Sequence, residues 1–390
     1  MKRYIALALT AVALLTMGRT AVAEQNLPGS VLVYPCVTGS TTWVTITNTY
    51  DKVGWPYDPD GIIPNGNVFC FFGDNAPPEP NNPLIGATRV HLLFFVANDC
   101  TVRDAVIDLS PGDHVTFRPE DVGLTQGTEE GWLVAYAGAV QTSGDPEPWS
   151  FDFLIGSAWV LDTADDFSFA YNAYAFLSKD NGVLPPAKEE ISPTGSDSFF
   201  SRCERERYTN DVYLDFDGTT EYEEWPDVLY LTRFFEDNPV YNNPENLDPH
   251  SSLLVLVAPL NTHPDERETE ITVGNLFWNN DENEHGSPFS RTFDMNCHFK
   301  STLRDISMQY ANLGGTSEDD EENTGWGLFD GYSVNGDFYR DPALLGIFVQ
   351  LDTPGMADET EDLNGFSHAQ NFFTRGFNKD TARIFIDATP

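Results

Sequence analysis

Five carboxylates stand close together in the run Tyr213-Leu-Asp215-Phe-Asp217-Gly218-Thr-Thr-Glu221-Tyr-Glu223-Glu224. Calcium loops of the EF-hand type place oxygen ligands on alternate residues, turn at a glycine and close with a bidentate glutamate. Asp215, Asp217, Glu221 and Glu224 around Gly218 follow that order, which makes them the candidate metal ligands and calcium the candidate cofactor. Tyr213 fills the opening ligand position, however, and the stretch from Val212 to Phe216 suits a strand. A β-turn with Asp-Gly at its corner accounts for the same residues. Asp58-Pro-Asp60-Gly61, followed by Asn65 and Asn67, is a second ion-like run, and a turn is the expectation there.

Sugar recognition is the other chemistry on offer. Flat indole rings stack on sugar faces, and Trp55, Trp225 and Trp278 each neighbour Pro, Asp or Asn in expected loops. Trp55 and Trp278 are the glycan-binding candidates. Glycoside hydrolysis would need two facing carboxylates, and 61 acidic residues do not single out a pair. Trp132 and Trp326 differ from these, because each follows a glycine at a strand start, where a core anchor is expected.

No catalytic residue is assigned. The chain has no Gly-x-Ser-x-Gly elbow, and its seven histidines are scattered without His-x-x-x-His spacing. His263, His285 and His298 are expected to be solvated or satisfied within the core. Cys-x-x-Cys spacing is absent too, which argues against a zinc ribbon or a thioredoxin-like centre.

Strands must carry these residues. Short β-branched and aromatic runs recur between clusters of Gly, Pro, Asn and Asp, the clearest being Val31 to Tyr34, Thr42 to Thr47, Val90 to Val96, Trp132 to Ala137, Ser157 to Leu161 and Phe167 to Phe176. From Trp43 onward the pattern alternates, with Val44 and Ile46 on one face and Trp43, Thr45 and Thr47 on the other, as in a sheet with one buried face. With 26 Pro and 30 Gly, long helices would be broken repeatedly.

Six patterns also occur twice in the same order. Val31-Leu-Val-x-Pro35 matches Val255-Leu-Val-x-Pro259, and Val44-Thr-Ile-x-Asn48 matches Ile271-Thr-Val-x-Asn275. Cys100 matches Cys297, and Gly131-Trp132 matches Gly325-Trp326. Leu154-Ile-Gly156 with Leu161-Asp162-Thr163 matches Leu344-Leu-Gly346 with Leu351-Asp352-Thr353, and Phe167-Ser-x-Ala-x-Asn172 matches Phe366-Ser-x-Ala-x-Asn371. Patterns kept in order imply an internal duplication. The expected fold is all-β, with two tandem immunoglobulin-like β-sandwiches over residues 24–240 and 250–390. The first holds an inserted loop at 55–83 and, in the connector, strands near Val212 to Phe216 and Val228 to Phe235. Asn172 and Asn371 are expected to be buried amides that satisfy strand-end backbone groups, and Asp162 and Asp352 to end strands. Glu318 to Glu322 reads as a solvated acidic loop.

The first strands, Val31-Leu-Val-x-Pro35 then Val44-Thr-Ile-Thr-Asn-Thr49, together with the Gly-Trp to Leu-Asp-Thr region, resemble immunoglobulin-like modules of exported bacterial surface proteins. That resemblance implies adhesion, spacing or matrix roles, and it brings no catalytic residues with it.

Composition narrows the setting. Lys2-Arg3, the apolar run from Tyr4 to Met17 and Ala21-Val-Ala23 make residues 1–23 an expected signal peptide, so the product should be secreted, periplasmic or held at the cell surface. No second apolar run predicts membrane insertion after cleavage. A formal charge of −40 repels phosphate backbones and anionic lipid, which excludes nucleic acid as a favoured partner and leaves an extracellular glycan or a surface protein. Five cysteines in an exported chain predict disulfides and at least one unpaired thiol, with one bridge expected among Cys36, Cys70 and Cys100. Cys203 and Cys297 remain as further partners.

Overall fold

The computed structural model describes residues 27–50, 88–97, 101–138, 148, 151–162, 167–178, 213–219, 221–226, 228–235, 252–259, 262, 268–279, 284–285, 289–294, 299–301, 324–333, 343–352, 366–371, 373–374, 379–380 and 382–386. The expected signal peptide at 1–23, the loop at 55–83 with Trp55, Asp58 and Asp60, and Glu318 to Glu322 lie outside the described residues. So do Cys70, Cys100, Cys203, Cys297, His263 and His298. The described residues form antiparallel β-sheets without an α-helix, and Pro119–Val122 makes a short 3-10 turn.

Four sheets dominate. Sheet 1 runs in the spatial order Val102–Leu109, Thr88–Val96, Glu130–Gly138, Val31–Thr38, Tyr174–Phe176. Sheet 2 runs His114–Phe117, Thr42–Asn48, Leu154–Asp162, Phe167–Asn172. Sheet 3 runs Glu284–His285, Glu268–Asn279, Thr324–Ser333, Val228–Phe235, Phe373–Thr374, with Phe289–Asp294 also paired to Glu268–Asn279. Sheet 4 runs Phe299–Ser301, Ser252–Val257, Leu345–Asp352, Phe366–Asn371. Two small ribbons join Tyr213–Phe216 to Ala382–Phe385 and Trp225–Pro226 to Lys379–Asp380.

Side-chain pattern explains which faces are covered. In Thr42–Asn48, Val44 and Ile46 point into the core while Trp43, Thr45 and Thr47 point out, as the alternation requires. Val31 to Tyr34, Leu92 to Phe95 and Leu133 to Ala137 are apolar without interruption, and these strands of sheet 1 are buried on both faces. Leu32, Phe94 and Leu133 meet Val44, Ile46 and Ala158 of sheet 2. Val33, Phe95 and Trp132 meet Leu214, Phe216, Trp225 and Ile384 of the ribbons. A third core joins sheets 3 and 4 through Leu229, Leu254, Leu256, Phe277, Phe329 and Phe348.

Sheets 1 and 3 share one pairing scheme. Val31 faces Tyr136, Tyr34 faces Leu133, a register shift follows, and Val37 faces Gly131. Val228 faces Asp330, Leu231 faces Gly327, a register shift follows, and Phe234 faces Gly325. Phe95 faces Trp132 just as Trp278 faces Trp326. Sheets 2 and 4 agree in the same way, since Trp43 faces Trp159 where Leu253 faces Val349, and Ser157 faces Asn172 where Ile347 faces Asn371.

In pairing, Val228–Phe235 resembles Val31–Thr38, and Ser252–Val257 resembles Thr42–Asn48. The two Val-Leu-Val-x-Pro runs begin in strands with different partners, and both are apolar because both strands are buried on two faces. Val228–Phe235, expected among the strands of the first unit, pairs with Thr324–Ser333 and Phe373–Thr374. Cys36 is a buried free thiol, so a bridge among Cys36, Cys70 and Cys100 does not use it. Burial pushes its pKa up to about 12.

Candidate functional site

The outer face of sheet 2 carries an open aromatic surface. Trp43 and Trp159 sit directly opposite one another on neighbouring strands, 36% and 51% exposed, with Ile155 exposed further along. Facing pairs of this kind hold their Cβ atoms about 5 Å apart, so the two indoles form one continuous patch. Two exposed indoles together are unusual enough to point to recognition, since scattered single ones are not.

Fixed polar groups border the patch. The Arg118 guanidinium lies 5.6 Å from the Trp43 ring centroid, a cation–π distance. Asp121 holds it there with two contacts, from Nε at 3.0 Å and Nη2 at 2.7 Å. The pair closes the start of the Pro119–Val122 turn, so the loop backbone aims Arg118. Toward the other end of the face, the Thr45 and Ser157 hydroxyls are 2.8 Å apart, and the Ser157 amide donates to Thr45 Oγ1. Thr47 Oγ1 meets His114 Nδ1 at 2.7 Å, and His114 Nε2 meets Thr116 Oγ1 at 2.9 Å. The whole is a flat, preorganised strip with apolar rings at one end and hydroxyls at the other.

The scaffold under the strip is tight. Tyr34 Oη donates to the Thr45 carbonyl oxygen beneath it, and a Cβ at Gly156 would stand 2.0 Å from that same hydroxyl. Only glycine lets the strand pass there.

The acidic run is arranged differently. Asp215 pairs with Arg383 across the ribbon, Nε to Oδ1 at 2.5 Å, and Arg383 also covers the Tyr213 ring. Glu221 is 3% exposed and accepts the Asp215 amide at 2.9 Å. Its burial, reinforced by the charges of Asp215 and Asp217, pushes its pKa up to about 8. Asp217 accepts the Thr219 amide, and Gly218 turns the chain with φ +69° while the Glu224 side chain lies against it. Asp215, Asp217 and Glu221 are thus occupied with backbone and Arg383, and Glu224 lies beside them against Gly218. Among the described residues no group of three or more His, Cys, Asp or Glu side chains is placed to hold a metal ion.

The remaining tryptophans divide by burial. Trp278 lies in a strand instead of a loop and stacks on Trp326 at 4.0 Å with rings 11° apart. Trp326 is 42% exposed, so it is not the core anchor that its match to Trp132 implied. Trp132 is fully buried and stacks on Phe95 in the same geometry. Trp225, expected in a loop, is buried under sheet 1. Asn371 Nδ2 donates to the Asn172 carbonyl oxygen, a strand-end group of the other sheet, although Asn172 is exposed. Trp43 and Trp159 were not singled out from the sequence. The signal for Trp43 was its place on the outward side of an alternating strand.

No protein-family model matches the chain, and no curated protein matches it. Among solved structures it is similar to the crystal structure of Thermotoga maritima 1070, at 11% identity and a TM-score of 0.22, over 38% of this chain and 95% of that one. No helix of the described residues is long and apolar enough to cross a membrane.

Proposed function

We propose that this is an exported, acidic, non-catalytic β protein with a structural or adhesive role outside a bacterial cell, engaging its partner through the Trp43–Trp159 face. The observation that carries the reading is the pair of exposed indoles on a rigid, polar-bordered sheet. Export is supported by the Lys2-Arg3, apolar run and Ala-Val-Ala pattern. A tandem duplication of a sandwich unit is supported by the shared pairing scheme of sheets 1 with 3 and 2 with 4, and it favours a second unit that begins with Val228–Phe235. The immunoglobulin-like character of each unit is part of the same proposal.

A glycan is the second reading, favoured by the Thr45–Ser157 and Thr47–His114 hydroxyl row beside the rings. The test compares wild type with the Trp43→Ala, Trp159→Ala double variant for retention on insoluble peptidoglycan and on a glycan array, and for self-association. Loss of any of these activities in the double variant, with thermal unfolding within a few degrees of wild type, is the expected result. If both proteins behave alike in every assay, the face is not the binding surface.

A further inference from the structure

Glu221 is an acid shut inside an apolar place. It is 3% exposed, and its neighbour Tyr222 is fully buried against Phe216, in the core that holds Trp225 and Ile384. The chain folds back here: the Tyr222 amide donates to the Asp215 carbonyl oxygen at 3.2 Å, and the Gly218 amide to the Tyr222 carbonyl oxygen at 3.0 Å. Glu221 Oε2 closes the turn by accepting the Asp215 amide at 2.9 Å. On one side the turn is tied to the end of Tyr174–Phe176, since the Glu223 amide donates to the Leu177 carbonyl oxygen and Ser178 bridges Tyr222. On the other it continues into Tyr213–Phe216, which pairs with Ala382–Phe385. The turn therefore fastens three segments distant in sequence, and with them Leu214, Phe216 and Trp225 over Val33, Phe95 and Trp132 of sheet 1.

The fastening suits an uncharged carboxyl group. An ionised one has room for about four hydrogen bonds, and among the described residues Glu221 receives one. Asp215 and Asp217 of its own turn oppose ionisation, while Arg383, the cation across the ribbon, is engaged with Asp215 at 2.5 Å. Glu223 turns to the Leu177 amide, and Glu224 lies against Gly218. A buried charge with so few donors is costly, and opening the turn to water relieves it. We propose that the turn carrying Glu221 is a pH-sensitive latch, closed over sheet 1 in acid and loosened as the medium passes through neutrality. Loosening frees Tyr213–Phe216 first, because Ala382–Phe385 keeps a second set of bonds, from the Arg383 amide to the Pro259 carbonyl oxygen and from the Phe385 amide to the Thr262 hydroxyl. The closed turn holds the Glu221 proton up to about pH 8 against an ordinary 4.5. Each pH unit between those values favours the open turn about tenfold, and the effect levels off above them.

Amide hydrogen exchange of the full chain across this pH range, expressed as protection relative to the unstructured chain at the same pH, tests the proposal. In wild type, protection at Tyr213–Phe216 and Tyr222 should fall by up to about tenfold per pH unit and level off near pH 8, while Thr42–Asn48, in the core away from the turn, holds its protection. Glu221→Gln keeps an acceptor for the Asp215 amide and cannot ionise, so its protection should stay level throughout. Asp217→Asn keeps an acceptor for the Thr219 amide and removes one opposing charge, so its fall should level off at a lower pH. Wild-type protection that ignores pH, a fall that persists in Glu221→Gln, or an Asp217→Asn profile that levels off no lower would overturn the latch. An equal fall at Thr42–Asn48 would overturn it too, because opening would then be global.

Discussion

Trp132 and Trp326 occupy matching positions with the same stacking geometry, yet one is fully buried and the other is 42% exposed. Replacing each by alanine isolates the contribution of what covers it. A tryptophan side chain offers roughly 200 Å², so leaving about two-fifths of it in water withholds close to 2 kcal/mol at about 25 cal/mol per Å². A closed site also keeps a cavity after truncation, whereas water fills an open one. Trp132→Ala should therefore cost about 3–5 kcal/mol and Trp326→Ala about 1–2 kcal/mol. Thermal unfolding followed by circular dichroism reads this directly, at about 2–4 °C per kcal/mol for a domain of this size. Equal losses, or a larger loss for Trp326→Ala, would refute the claim that the ribbons cover sheet 1 and leave sheet 3 open.

Other outcomes follow from single residues. Glu221 is protonated more readily in the folded chain, from an ordinary 4.5 up to about 8. Its contribution to stability is complete below about 4.5 and is lost as pH rises through about 8. Glu221→Gln should flatten that loss, so its advantage over wild type grows with pH to the order of a few kcal/mol near pH 9, as equilibrium denaturation across pH 4 to 9 would show. An advantage independent of pH would contradict this. Gly156→Ala should cost about 3 kcal/mol through overpacking against Tyr34 Oη and the Thr45 carbonyl oxygen, and Tyr34→Phe in the same chain should recover part of it. Calcium added after EDTA should leave the melting temperature unchanged, since Asp215 and Glu221 are already engaged; a calcium-dependent rise would restore the ligand reading of Asp215, Asp217, Glu221 and Glu224.

The all-β class was legible because it rests on local signals. Trp43 to Thr47 alternates, and Asp217-Gly218 makes the turn it suggests, with glycine at positive φ. Register sets Gly131 opposite Val37 as it sets Gly325 opposite Phe234, and Asn172 opposite Ser157 as it sets Asn371 opposite Ile347. Burial, which acts through partners distant in sequence, was not legible in the same way. Val-Leu-Val at Val31 and at Val255 is the same answer to burial on two faces, given by strands with different neighbours. Trp132 and Trp326 show the converse, since the same Gly-Trp dipeptide meets a ribbon in one place and solvent in the other. The Trp43–Trp159 face was missed for the same reason: Trp159 is 51% exposed on the outer side of sheet 2, and no residue near Trp159 encodes that.

Hydroxyl-radical footprinting of the full chain, read tryptophan by tryptophan with and without conditions that promote binding, tests the central claim most directly. Trp43 and Trp159 should be labelled in dilute low-salt solution and protected together as partner is engaged, while Trp132 and Trp225 stay unlabelled throughout. Unchanged labelling of Trp43 and Trp159 under conditions where the chain is demonstrably bound would contradict it.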